Sequence, residues 1–232
     1  MAEARAVLIV PANNTTMARE MSALAPDLAP FAVARVPVPP EGVTVENMPA
    51  YARSTLAAVE EFLPLRPALV VHGCTAAGFL SGAKGVAEIT EALRQRSGAT
   101  VVSTAAAMIA VLRHERVRET AVATPYLAPV NDGLRAYLAE AGIAVEVLES
   151  LSCPDVDSLG RVTEAEVLEL ALRTVTPRSK SLFIACSQLP TAGVLPELRV
   201  RLGIPVWSSI SATAWAATRA LAAPERPRNR AA

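Results

Sequence analysis

Glycine is scarce for a chain of this kind, 11 in 232 residues. No Gly-x-Gly-x-x-Gly follows the first hydrophobic run and no Walker phosphate loop occurs, so the backbone cradles that hold dinucleotides and nucleoside triphosphates are missing. Histidine occurs only at His72 and His114, which are not spaced as metal ligands, and this disfavours a zinc site. Net charge is absent too, with 22 Lys and Arg balancing 22 Asp and Glu, whereas a nucleic-acid binder needs a basic face. No apolar run approaches the ~20 residues of a spanning helix, so no membrane partner is expected. The run at 6–11 is preceded by Glu3 and ended by Pro11, unlike a secretory signal. Three cysteines, an odd number and widely spaced, give no disulfide framework and read as reduced, cytoplasmic thiols.

What is present is a regular alternation. Short β-branched runs stand at 6–10, 31–36, 68–71, 100–102, 120–123, 145–148, 182–185 and 204–207. Helical periodicity fills the intervals, notably at 48–62, 86–96, 130–141 and 164–173. Continuous apolar strands separated by helices predict an α/β fold with parallel sheets covered on both faces. Thr163 before Glu164 and Glu166 predicts a capped helix start. The segment 224–232, rich in Pro and Arg, reads as a disordered tail.

A weak repeat runs through the chain. Pro11 closes one strand and Cys74 follows another 63 positions on; Pro125 and Cys186 stand in the same relation 61 positions apart. This predicts two pseudo-symmetric halves, the first from 1–114 with 209–223 and the second from 115–208. Cys74 and Cys186 then occupy equivalent strand ends. In open α/β sheets ligands bind beyond those ends, where helix starts present free N–H groups to a thiolate or a carboxylate. The competing reading is that both are buried core cysteines; their paired placement favours a shared site. Asn14, Thr15 and Thr16 after the first strand suit carboxylate binding or helix capping, and Tyr126 can aim its phenol into the same cleft. Cys153 reads as structural or incidental and His72 as a packing residue.

The run Val10-Pro11-Ala12-Asn13-Asn14-Thr15-Thr16-Met17 resembles the Pro-Ser-Ser-Asn-Thr-Thr-Met pattern of maleate isomerases. Ala185-Cys186-Ser187-Gln188-Leu189-Pro190 is similar to their second cysteine motif, and Val122–Tyr126 with Asn131 is similar to both isomerases and arylmalonate decarboxylases. The chain thus resembles the aspartate/glutamate racemase superfamily, in its maleate cis–trans isomerase and arylmalonate decarboxylase branch. That resemblance implies two Rossmann-like halves with the active site between them, and neither metal nor organic cofactor. It implies Cys74 as nucleophile and Cys186 as proton donor and acceptor in cis–trans isomerisation of maleate or a related acid. Asn14, Thr75, Ala76, Tyr126, Ser187 and Gln188 would bind the substrate. Decarboxylases of the branch have glycine where Cys74 stands, which favours isomerisation. Asp155 and Asp157 lie where the pattern has a further asparagine, and an aspartate there would repel a dicarboxylate. A two-cysteine racemase of an amino acid or hydantoin is the alternative; a non-catalytic small-acid binder is a third reading. The expected partner is a small carboxylic acid, and whether the chain forms a homo-oligomer stays open.

Overall fold

The computed structural model describes residues 5–222, so the tail expected at 224–232 lies outside the described residues. The first half runs β1 (Ala6–Pro11), α1 (Met17–Leu24), β2 (Phe31–Val36), α2 (Met48–Glu60), β3 (Leu69–His72), α3 (Thr75–Leu80), α4 (Gly82–Ser97), β4 (Thr100–Ser103) and α5 (Thr104–His114). The second runs β5 (Glu119–Thr124), α6 (Ala128–Glu140), β6 (Ala144–Ser150), α7 (Val156–Gly160), α8 (Glu164–Thr174), β7 (Leu182–Ile184), α9 (Leu195–Leu202) and β8 (Val206–Ser208). A last helix, α10 (Ser209–Ala222), leaves β8 and packs on α5 and α1, across the chain from the strand that feeds it.

Each half holds one four-stranded parallel sheet, ordered β2-β1-β3-β4 and β6-β5-β7-β8. The two orders are the same permutation, so β3 and β7 are equivalent. The central strands are buried along nearly their whole length, as expected for sheets covered on both faces. α8 starts as expected, Thr163 and Glu166 forming a reciprocal capping box.

The halves are not independent bodies. One hydrophobic cluster takes Leu8 and Phe79 from the first half and Val122, Leu134 and Phe183 from the second. Contact between α3 and α5 is close enough to require Gly78, where an added Cβ would lie 2.4 Å from the Cβ of Ala105. A shared core of this kind holds the two sheets at one fixed relation, and their carboxyl ends converge on a common cleft.

Candidate active site

The β3–α3 turn carries the first thiol. His72 ends the strand, Gly73 donates its N–H to the Ile9 carbonyl (2.7 Å), and Cys74 takes the N-cap position of α3. A side chain at position 73 would meet Met17 Sδ at 2.7 Å and the Ile9 oxygen at 2.9 Å, so only glycine lets β3 turn this close to β1 and α1. The N–H of Ala77 points at the Cys74 sulfur, 3.5 Å away. The second thiol follows β7, where Cys186 receives the N–H of Gln188 at 3.3 Å.

Both sulfurs border one cavity of about 110 Å³, many times the ~10–15 Å³ that one water occupies on the same measure. Thr75, Ala76, Tyr126, Ser187 and Gln188 border it as expected, and so does Asn14. The Tyr126 hydroxyl lies beside both the Cys186 sulfur and the Thr75 hydroxyl, bridging the two halves at the cavity wall. Thr75 Oγ1 is buried and has no partner in hydrogen-bond geometry among the described residues.

Three of the expected substrate-binding side chains are already engaged. Asn14 Nδ2 donates to the Ser187 carbonyl (3.0 Å), while its Oδ1 accepts from the N–H groups of Thr16 and Met17. Ser187 Oγ donates to the Gly73 carbonyl (2.7 Å). Gln188 Oε1 accepts from Thr15 N (3.0 Å), and its Nε2 donates to Thr15 Oγ1. These bonds tie the start of α1 to the Cys186 loop. The unengaged side-chain donors at the cavity are therefore Asn13, Thr75 and Tyr126, with main-chain N–H groups beside them, and Asn14 is committed to joining the halves.

Two electrostatic expectations need correction. No helix follows Cys186 directly: residues 185–194 form a loop before α9, so no helix start faces that sulfur. Nor does the setting lower the thiol pKa values. Burial pushes Cys74 up to about 11 and raises Cys186 as well, because desolvation outweighs the few N–H groups aimed at each sulfur. Both cysteines are thus neutral thiols at neutral pH.

His72 is buried, its ring held neutral by desolvation with a pKa of about 4, and it does not border the cavity. Cys153 borders the cavity together with Pro154 and Asp155. Asp157 does not border it. Asp155 caps α7, with Oδ1 accepting from Ser158 N at 2.7 Å.

Sequence reasoning missed the outer wall. It is built by the 37–43 loop after β2 and by the 151–155 loop after β6 with the start of α7, joined where Val156 N donates to the Pro40 carbonyl (3.0 Å). The rule that ligands sit beyond the carboxyl ends of strands applies to these two strands as much as to the others. Val38, Val43, Val130, Val156 and Leu159 make this wall largely apolar. Among the described residues the lining holds two carboxylates, Glu41 and Asp155, and no basic side chain. No group of three or more potential metal ligands occurs among the described residues. None of the described helices is long and apolar enough to cross a membrane.

A family model for arylmalonate decarboxylase matches residues 7–231. The chain belongs to the arylmalonate decarboxylase family. The arylmalonate decarboxylase of Bordetella bronchiseptica is 31% identical over 91% of this chain and 88% of its own. A solved mutant of arylmalonate decarboxylase in liganded form superposes with a TM-score of 0.82 at 30% identity, covering 96% of this chain and 94% of that one. In that mutant one glycine is changed to cysteine and one cysteine to serine. The maleate cis–trans isomerase of Nocardia farcinica, bound to TRIS, superposes with a TM-score of 0.87 at 25% identity, covering 95% and 93%. Family members therefore include both a decarboxylase and an isomerase on this fold.

Proposed function

We propose that the protein is a cofactor-independent isomerase that uses Cys74 and Cys186 to convert maleate or a related small unsaturated acid between its cis and trans forms. The observation that carries this reading is the pair of thiols on one cavity, each at the end of an equivalent strand. The isomerase relative supports it. A decarboxylase of the branch has glycine at the position of Cys74, so retention of both cysteines points away from decarboxylation.

The Cys74 thiol gives its proton to solvent and the thiolate adds to one alkene carbon. The carbon–sulfur bond forms as the π pair moves toward the carbon next to the carboxylate. Cys186 donates its proton there, leaving a saturated thioether and a Cys186 thiolate. Rotation about the new single bond is then easy. Cys186 takes the proton back, the electron pair re-forms the double bond, and the carbon–sulfur bond breaks. Two modest steps replace one prohibitive rotation. Thr75, Tyr126 and the nearby N–H groups stabilise the enolate-like charge that develops in each step.

One observation favours a second reading. The lining holds Glu41 and Asp155 without a basic side chain, which suits a substrate with a single carboxylate better than a dianion. With such an acid the same thiols would act as two bases, one removing an α-proton and the other delivering one to the opposite face.

Proton NMR of the reduced protein with maleate in heavy water tests both. Fumarate is expected to appear, and to be lost in Cys74→Ser and in Cys186→Ser. An unchanged maleate spectrum, with deuterium entering the α-position of a saturated acid, would replace isomerisation by racemisation. Turnover of maleate by both serine variants would overturn the two-thiol mechanism.

A further inference from the structure

The Cys74 sulfur is reached from two sides. The cavity side is open to substrate. The opposite side is closed by α2, which brings Tyr51 into the same buried cluster as Cys74, Val43 and Ala77. Tyr51 is only 5% exposed and does not border the cavity.

Its hydroxyl is an anomaly for a packed core. Among the described residues it has no partner in hydrogen-bond geometry, sulfur included. The polar groups beside it are the Cys74 sulfur and the Thr55 hydroxyl. Thr55 donates its own proton to the Tyr51 carbonyl at 2.9 Å, which leaves its oxygen as an acceptor only. A buried hydroxyl without a partner is costly, and phenylalanine would fill the same space without that cost. The phenolic proton thus has two acceptors near it, the Thr55 oxygen and the Cys74 sulfur, and of these only the sulfur can become charged. A thiol accepts weakly, whereas a thiolate accepts strongly, so this contact gains most of its strength when Cys74 is charged.

We propose that Tyr51 is a positioning residue for the nucleophile: its hydroxyl donates to the Cys74 thiolate from behind and holds that sulfur charged and aimed into the cavity. The inference rests on Cys74 being the nucleophile. Few other ionisable groups act on this sulfur. Cys186 faces it across the cavity and raises its pKa further, as Glu41 and Asp155 on the wall would by their like charge. His72 on β3 is neutral. Against burial and these charges, the Ala77 N–H and the Tyr51 hydroxyl are the main groups that favour the thiolate. Burial also raises Tyr51 itself well above the usual phenol range, so the phenol keeps its proton and remains a donor. Tyr126 lies beside Cys186 at the cavity wall, so each thiol has a phenol next to it although the two come from non-equivalent elements and only Tyr126 borders the cavity.

Alkylation by iodoacetamide, followed for each cysteine by peptide mass spectrometry between about pH 7 and pH 10, tests the contact without needing a substrate. In Tyr51→Phe the Cys74 rate is expected to fall roughly tenfold at each pH, the effect of a one-unit rise in thiol pKa. Cys186 and Cys153 should react within about twofold of the parent. Thr55→Val, which removes the other neighbouring hydroxyl, should leave the Cys74 rate unchanged. An unaltered Cys74 profile in Tyr51→Phe, equal slowing of all three thiols, or an equal effect in Thr55→Val would overturn the proposal. Failure of the isomerase reading would show separately, as an unchanged maleate spectrum with the parent protein, and failure of Cys74 as the nucleophile as turnover surviving in Cys74→Ser.

Discussion

Glu20 is the perturbation with the most consequence for the Cys186 loop. It lies on α1, is buried, and joins the two halves by accepting from Thr191 N (2.9 Å), Thr191 Oγ1 (3.0 Å) and Ala192 N (3.0 Å). Replacing it by alanine leaves Thr191 N orphaned in the core and Ala192 N half-buried without its acceptor. Each orphan costs about 1–3 kcal/mol, and relief of the carboxylate's own desolvation offsets part of that. The Thr191 hydroxyl keeps Ser208 Oγ as an acceptor at 2.9 Å and adds little. The net expectation for Glu20→Ala is a loss of about 2–4 kcal/mol, and for Glu20→Gln, which retains one acceptor oxygen, about 1–2 kcal/mol. Urea denaturation followed by circular dichroism reads this directly, as a lower midpoint at unchanged slope. The pH dependence adds a second check. Burial raises the Glu20 carboxyl above its ordinary 4.5 although the three donors pull it back. Folding therefore favours its protonated form, a contribution present below pH 4.5 that is lost as pH rises through the folded pKa. The advantage of the parent over Glu20→Gln should shrink from acid to neutral pH. A stability of Glu20→Ala within about 0.5 kcal/mol of the parent at pH 7 would refute the clamp.

His72 carries the opposite sign. Its folded pKa of about 4 lies below the ordinary 6.5, so its contribution is present above pH 6.5 and falls away by roughly 3 kcal/mol as pH drops toward 4. His72→Leu should flatten the urea midpoint across that window. At pH 7 it should match or exceed the parent, because neither ring nitrogen has a partner to lose; a loss above about 1 kcal/mol there would contradict this account. Gly73→Ala forces a Cβ against the Ile9 carbonyl and the Met17 sulfur and should cost about 1–3 kcal/mol by thermal denaturation. Because the displaced residue precedes Cys74, its alkylation rate should change as well, and a variant with parental stability and parental Cys74 reactivity would show that the turn has room to relax.

The β/α order was legible because its cause is local. Val7, Leu8 and Ile9 are continuous apolar residues, as a strand covered on both faces requires, and the Thr163–Glu166 box is written in four consecutive residues. The matched spacing from Pro11 to Cys74 and from Pro125 to Cys186 was enough to place both thiols at equivalent strand ends. Only the tertiary structure decided what surrounds them. Asn14 looks like a free donor in a row of Asn and Thr, yet the facing half takes its amide up, since its partner Ser187 lies 173 positions away. A helix start suggests a low thiol pKa, but desolvation depends on how completely the halves close over the sulfur, and closure raised it. Cys153, Tyr51 and Glu20 carry no local signal at all. Each matters through a neighbour brought by another element, and sequence distance says nothing about which elements will meet.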